Sequence, residues 1–179
     1  MTMVNTYFHH FLLTILIVLL ASIQSLAQED ISQFYNISAS SYNVEEDKVA
    51  IQGYDLIAYH TTRKALPGSS EWSYSYDSIL YYFVSAAHRD LFAQNPAKYL
   101  PAYGGYCAYG VGMDIIPGKY MPGKYPIDPK SFKIIQDTLH LFYNEPEFNA
   151  LEYWDQNKAN LKVKADERWG KIPSNKRKK

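Results

Sequence analysis

Two tyrosine-rich runs constrain this chain most. Glu71 to Tyr76 and Ile79 to Val84 are aromatic, β-prone runs, and only Asp77-Ser78 lies between them. β-prone residues on either side of a two-residue turn former specify an antiparallel hairpin. A second pairing of the same kind is expected between Phe132–Ile135 and Leu139–Tyr143, around Gln136-Asp137-Thr138. Ser85 follows the first hairpin and is a good N-cap for a helix over Ala86–Gln94, with Ala87, Leu91 and Phe92 on its apolar side. Asn95-Pro96 ends that helix, and Pro96 can open a further short turn through Tyr99.

The longest helical pattern comes late. Phe148, Leu151, Trp154, Leu161, Ala165 and Trp169 recur at helical spacing and predict one buried face on a long C-terminal helix. Val49–Gln52 is a short strand candidate stopped by Gly53, and Ile116–Pro129, with its PGKYMPGKYP doubling, reads as an ordered loop. Strand pairs followed by helices, with little alternation, predict a small single α+β domain of short antiparallel hairpins, a few short helices and a long C-terminal helix.

The ends of the chain read differently. Phe11–Ile23 is apolar but short for a membrane span, and Ser25-Leu26-Ala27 offers small residues for cleavage, so residues 1–27 are expected to be a signal peptide. The protein is then expected to be exported, to the periplasm or the extracellular space, touching membrane only through that segment. Residues 28–48 are polar and patternless, a linker in which Asn36-Ile37-Ser38 fits a glycosylation sequon. The domain is expected over 49–172, and residues 173–179 form a basic, flexible tail. A formal net charge of zero gives no argument for nucleic acid or an acidic membrane surface.

One cysteine, Cys107, sits in the stretch YGGYCAYGVGM among three tyrosines and four glycines. It cannot form an intramolecular disulfide, so packing alone must hold the domain, with 17 Tyr, 8 Phe and 3 Trp to supply it. Three readings of the thiol stand side by side. It is a small buried residue in a close-packed turn, a soft metal ligand, or a reactive group paired with a histidine. His140, between Leu139 and Leu141, is expected to face water, by strand alternation. Tyr54, Tyr59, Tyr103, Tyr106 and Tyr109 offer either core rings or the wall of a site for a small apolar or cationic ligand.

Several stretches in order resemble the YHS domain, in particular its exported forms carrying a GGYCAYG segment. They are Gly53-Tyr54-Asp55 through Tyr59, Tyr81 to Ser85, His88-Arg89-Asp90, Phe92, Asn95 to Tyr99 and Tyr103 to Gly110. Related YHS and TRASH-like domains are thought to bind metals through cysteines, and this chain departs from that pattern. Ala58 stands where a D-P-V-C stretch would end, and Val84 and His88 stand at the two cysteine places of Y-F-C-S-x-x-C. The resemblance therefore implies a binding or accessory module with a mixed transition-metal site, copper by ligand softness, drawn from Cys107, His88, His60 and Met113. Met121 is a further thioether. The sequence shows no Gly-x-Ser-x-Gly elbow, His-Glu-x-x-His pair or phosphate-cradling loop, which argues against an enzyme and leaves only a Cys107/His88 dyad as a catalytic alternative.

Overall fold

A computed structural model describes residues 41–44, 47–115 and 121–172. The expected signal peptide, most of the linker with its sequon, the first part of the PGKY loop and the basic tail lie outside them. The described residues belong to one compact unit, and it is α+β.

The first hairpin pairs β1 (Ser69–Tyr76) with β2 (Ile79–Phe83), antiparallel, in the register Tyr74 to Tyr81 and Tyr76 to Ile79. Asp77 and Ser78 turn it with φ of 51° and 61°, the left-handed pair that a two-residue turn needs to match strand twist. The second pairs β3 (Asp128–Ile135) with β4 (Thr138–Phe142), turned by Gln136 and Asp137 in the same conformation. A minimal third pair, β5 (Asn144–Glu145) with β6 (Phe148–Asn149), follows. Each pair is a separate two-stranded sheet, and two strands alone are marginal in water. Helices therefore have to cover them.

Around the first hairpin lie α1 (Leu56–Thr61), α2 (Ala86–Gln94) and the single turn α3 (Pro96–Tyr99). Phe92 on α2 is the hub, fully buried, with Tyr81 and Phe83 rings 4.9 and 5.2 Å away and Tyr74 edge-on at 6.0 Å. His88 lies one helical turn before Phe92 and so projects from a neighbouring part of the same face. Around the second hairpin lie α4 (Ala108–Gly112), α5 (Ala150–Gln156) and α6 (Lys158–Trp169).

Three expectations change. The long C-terminal helix is two helices, broken at Asn157, whose φ and ψ are −149° and 43°. Trp154, Leu161 and Ala165 remain buried on both sides of the break. Val49–Gln52 forms no strand: Val49 makes an isolated bridge to Leu80, and Ile51–Gly53 closes a 3-10 turn with Gln52 at φ 53°. His140 is 2% exposed and does not face water. Tyr103 and Trp154 flank its ring at centroid distances of 5.6 and 6.0 Å, because β4 is covered on both faces.

Tyrosine hydroxyls join segments far apart in the chain. Tyr59 donates to the carbonyl of Pro129 at 2.8 Å, Tyr103 to Asp166 at 2.7 Å, and Tyr106 to the carbonyl of Tyr42 at 3.1 Å. Tyr42 and Asn43, expected in the linker, thus lie against the domain, where Asn43 also donates to the carbonyls of Gly104 and Gly105. The five tyrosines singled out in the sequence do not ring one surface. Tyr59 stacks edge-on to Phe132, Tyr103 and Tyr106 stand near Trp169, and Tyr109 stands near Phe148 and Tyr153.

Candidate functional site

The best-organised polar cluster is centred on Asp55, which the sequence names only as the first residue of the stretch 55–58. It precedes α1 and caps it: Oδ1 accepts from the amides of Ile57 at 2.8 Å and Ala58 at 3.1 Å. A capping carboxylate at a helix N-terminus satisfies amides that have no partner within the helix. Oδ2 turns the other way, to the N-terminus of α2. It accepts from the amide of Val84 at 2.9 Å and contacts His88 Nδ1 at 2.6 Å. Asp55 is fully buried, whereas the His88 side chain is 22% exposed.

Two local rules place these groups. Asp55 is an N-cap before an apolar helical run. Ser85 is an N-cap whose Oγ accepts from the amide of His88 at 3.3 Å. Both functional side chains therefore stand in the first turns of adjacent helices, and the packing of Phe92 on β1–β2 brings those turns together. A carboxylate can only accept, so Nδ1 of His88 carries the proton. In the neutral ring Nε2 then carries the lone pair. A carboxylate behind an imidazole fixes both the tautomer and the ring direction, the arrangement typical of metal-ligating and general-base histidines.

Cys107 is elsewhere. It is 1% exposed and N-caps α4 with sulfur as the acceptor, taking the amides of Gly110 at 3.4 Å and Tyr143 at 3.3 Å. Its own amide donates to Tyr125, and it bridges Leu141 in β4. Burial pushes the thiol pKa up, against a smaller downward pull from the amides it accepts. A raised pKa and a sealed sulfur make a weak nucleophile, and no hydrogen bond joins Cys107 to His88. Alkylation of the native protein by iodoacetamide near neutral pH is expected to be slow and to become fast only on unfolding. Cys107→Ala is expected to lower stability by about 1–2 kcal/mol, checked by chemical denaturation. Fast native labelling would show that the thiol is open.

The small residues around Cys107 have a packing purpose. A Cβ on Gly110 would lie 2.4 Å from the Tyr125 ring, and one on Gly112 would lie 2.4 Å from the carbonyl oxygen of Leu161. The stretch lets α4 lie directly against Tyr125 and α6.

The four ligands expected from the sequence are not gathered. Met113 is the C-cap of the helix that Cys107 begins, so about 9 Å of helix rise separates their backbones. His60 lies in the last turn of α1, with its ring edge-on to Tyr99 at 5.4 Å and Nε2 sealed without a partner. Burial, then Arg63 and Lys98, hold its pKa below the usual value. Met113 is buried and Met121 is exposed. Among the described residues no three His, Cys, Asp or Glu side chains come together to hold an ion. A four-donor site built from Cys107, His88, His60 and Met113 does not fit this geometry.

Comparison with family models, with curated proteins and with solved structures finds no match for this chain.

Proposed function

We propose that the chain is an exported YHS-like binding module, and no enzyme, which engages its ligand through Nε2 of His88. The observation that carries this reading is the 2.6 Å contact from His88 Nδ1 to a carboxylate that is fully buried and bonded to three backbone amides. Such a carboxylate cannot turn away, so the imidazole behind it cannot either. The resemblance gains support from the same contact, since its two metal-related stretches, 55–58 and 82–88, meet there.

A lone, oriented imidazole supplies one donor. The ligand that suits it is a transition-metal ion bringing its remaining donors from solvent or from a partner, and copper stands highest among divalent ions for nitrogen donors. The soft sulfur of Cys107 takes no part.

The test is titration of the full-length protein with Cu(II), comparing wild type with His88→Ala, Asp55→Asn and Cys107→Ala. We expect His88→Ala to abolish one saturable site, Asp55→Asn to weaken it by roughly 10-fold or more, and Cys107→Ala to leave it intact. A site that survives His88→Ala, or one lost in Cys107→Ala, overturns the proposal. Copper held by His9 and His10 is common to all four proteins and drops out of the comparison.

A further inference from the structure

A cleft of different chemistry lies beside the second hairpin. The 3-10 turn Ala102–Gly105, the β3–β4 turn and α6 enclose a cleft of about 360 Å³ whose polar lining includes Tyr103, Thr138, His140, Lys162, Asp166 and Trp169. That is at the small end of the range for ligand pockets.

His140 makes the cleft more than a surface dent. The residue is buried, at 2% exposure, and Nδ1 lies 3.0 Å from the carbonyl oxygen of Thr138. A carbonyl accepts only, so Nδ1 holds the proton and Nε2 presents a lone pair. No described group donates to Nε2, and it is not among the sealed unpartnered atoms of the structure, which are His60 Nε2, Tyr81 Oη and Trp154 Nε1. His140 is one of the residues that line the cleft. Burial lowers the pKa of this ring, which keeps the lone pair available at neutral pH.

The other walls define what can dock there. Trp169 is half-buried, edge-on to the buried Tyr103 ring at 6.0 Å and 65°, and supplies apolar ring surface. The charges cancel: Lys162 Nζ is 2.7 Å from Asp166 Oδ2, one turn along α6, while Tyr103 holds Asp166 Oδ1 at 2.7 Å. This pairing leaves no unbalanced negative charge in the cleft lining to attract a cation. Buried acceptor, half-open carboxylate, ammonium and aromatic wall together match hydroxyl groups carried on a ring.

We propose that this cleft binds an uncharged, hydroxyl-bearing ring, one hydroxyl donating to His140 Nε2 and a ring face resting on Trp169. A pyranose and a phenol share this chemistry. The proposal is independent of the His88 site.

The experiment titrates the full-length, isotope-labelled protein with methyl β-glucopyranoside in one arm and phenol in another, reading the His140 Nε2 and Trp169 indole resonances. Glucuronate and glucosamine serve as charged comparators. At least one uncharged probe is expected to shift both resonances along a saturable curve. His140→Phe, which keeps a ring between Tyr103 and Trp154, should weaken that probe about 10-fold, the equivalent of one hydrogen bond. Asp166→Asn, on the solvent side of α6, should leave Lys162 unbalanced and shift preference toward glucuronate, which a purely structural role would not do. The proposal falls if neither uncharged probe saturates up to its solubility. It also falls if a charged comparator binds wild type more tightly, or if a folded His140→Phe binds as well as wild type.

Discussion

Asp55→Ala is expected to remove on the order of 4–6 kcal/mol of stability, the largest effect of any single substitution considered for this protein. The carboxylate is fully buried and accepts from three backbone amides and one imidazole. Alanine leaves all four donors without an acceptor, and each orphaned buried donor costs about 1–3 kcal/mol. Water entering the vacated space recovers part of the sum, which is why the total stays below the simple addition. Typical domains have only about 5–15 kcal/mol to lose, so the variant should be close to unfolding at room temperature. Urea denaturation followed by tryptophan fluorescence reads this directly. His88→Ala serves as the contrast, since it removes one partly exposed partner and leaves the three amide bonds in place. A loss under about 2 kcal/mol for Asp55→Ala, no more than an ordinary helix cap is worth, would mean that the two helix ends are not joined through this residue.

Gly112→Ala is expected to cost about 3 kcal/mol, at the upper end of the range for overpacking. The added methyl would sit 2.4 Å from the carbonyl oxygen of Leu161 and 3.3 Å from the Cβ of Ala165. The first of these is a backbone atom within α6, so no rotamer change relieves the clash and the helix itself must shift. Alanine's better helix propensity offsets at most about 1 kcal/mol. Gly170→Ala is the matched control: nothing lies within 4 Å of the place its methyl would take, and its φ of −69° suits any residue. Thermal unfolding of the pair should separate them by many degrees. Equal midpoints would show that α4 and α6 are not in close contact.

The elements that could be read from the chain are those whose instructions are local. Asp77-Ser78 and Gln136-Asp137 sit between β-prone runs, and both turns form with positive φ. Ser85 caps α2 at the expected residue, and Asn95-Pro96 ends it. The break at Asn157 could not be read in the same way. Trp154, Leu161 and Ala165 keep helical spacing across it, and no Gly or Pro marks the place. His140 misled for a related reason. Alternation assigns one face of a strand to water only when that face is uncovered, and the elements that cover β4 come from residues far away in the chain.

The site was legible only in part. The imidazole of His88 makes it a candidate, but its partner Asp55 is 33 residues earlier, and the stretch 55–58 draws notice for the cysteine missing at Ala58 and not for its carboxylate. Cys107 drew attention as a soft ligand. Its sulfur is instead taken up by amides at 110 and 143, a pairing that exists only after α4 has docked on β4.

The phenol contacts of Tyr59, Tyr103 and Tyr106 span 70, 63 and 64 residues. Loops of that size are the ones a covalent cross-link would stabilise most, yet here each is closed by a hydroxyl proton and no sulfur–sulfur bond. With one cysteine in the sequence, a reductant has no intramolecular disulfide to cleave, so the closing of these loops does not wait on disulfide formation.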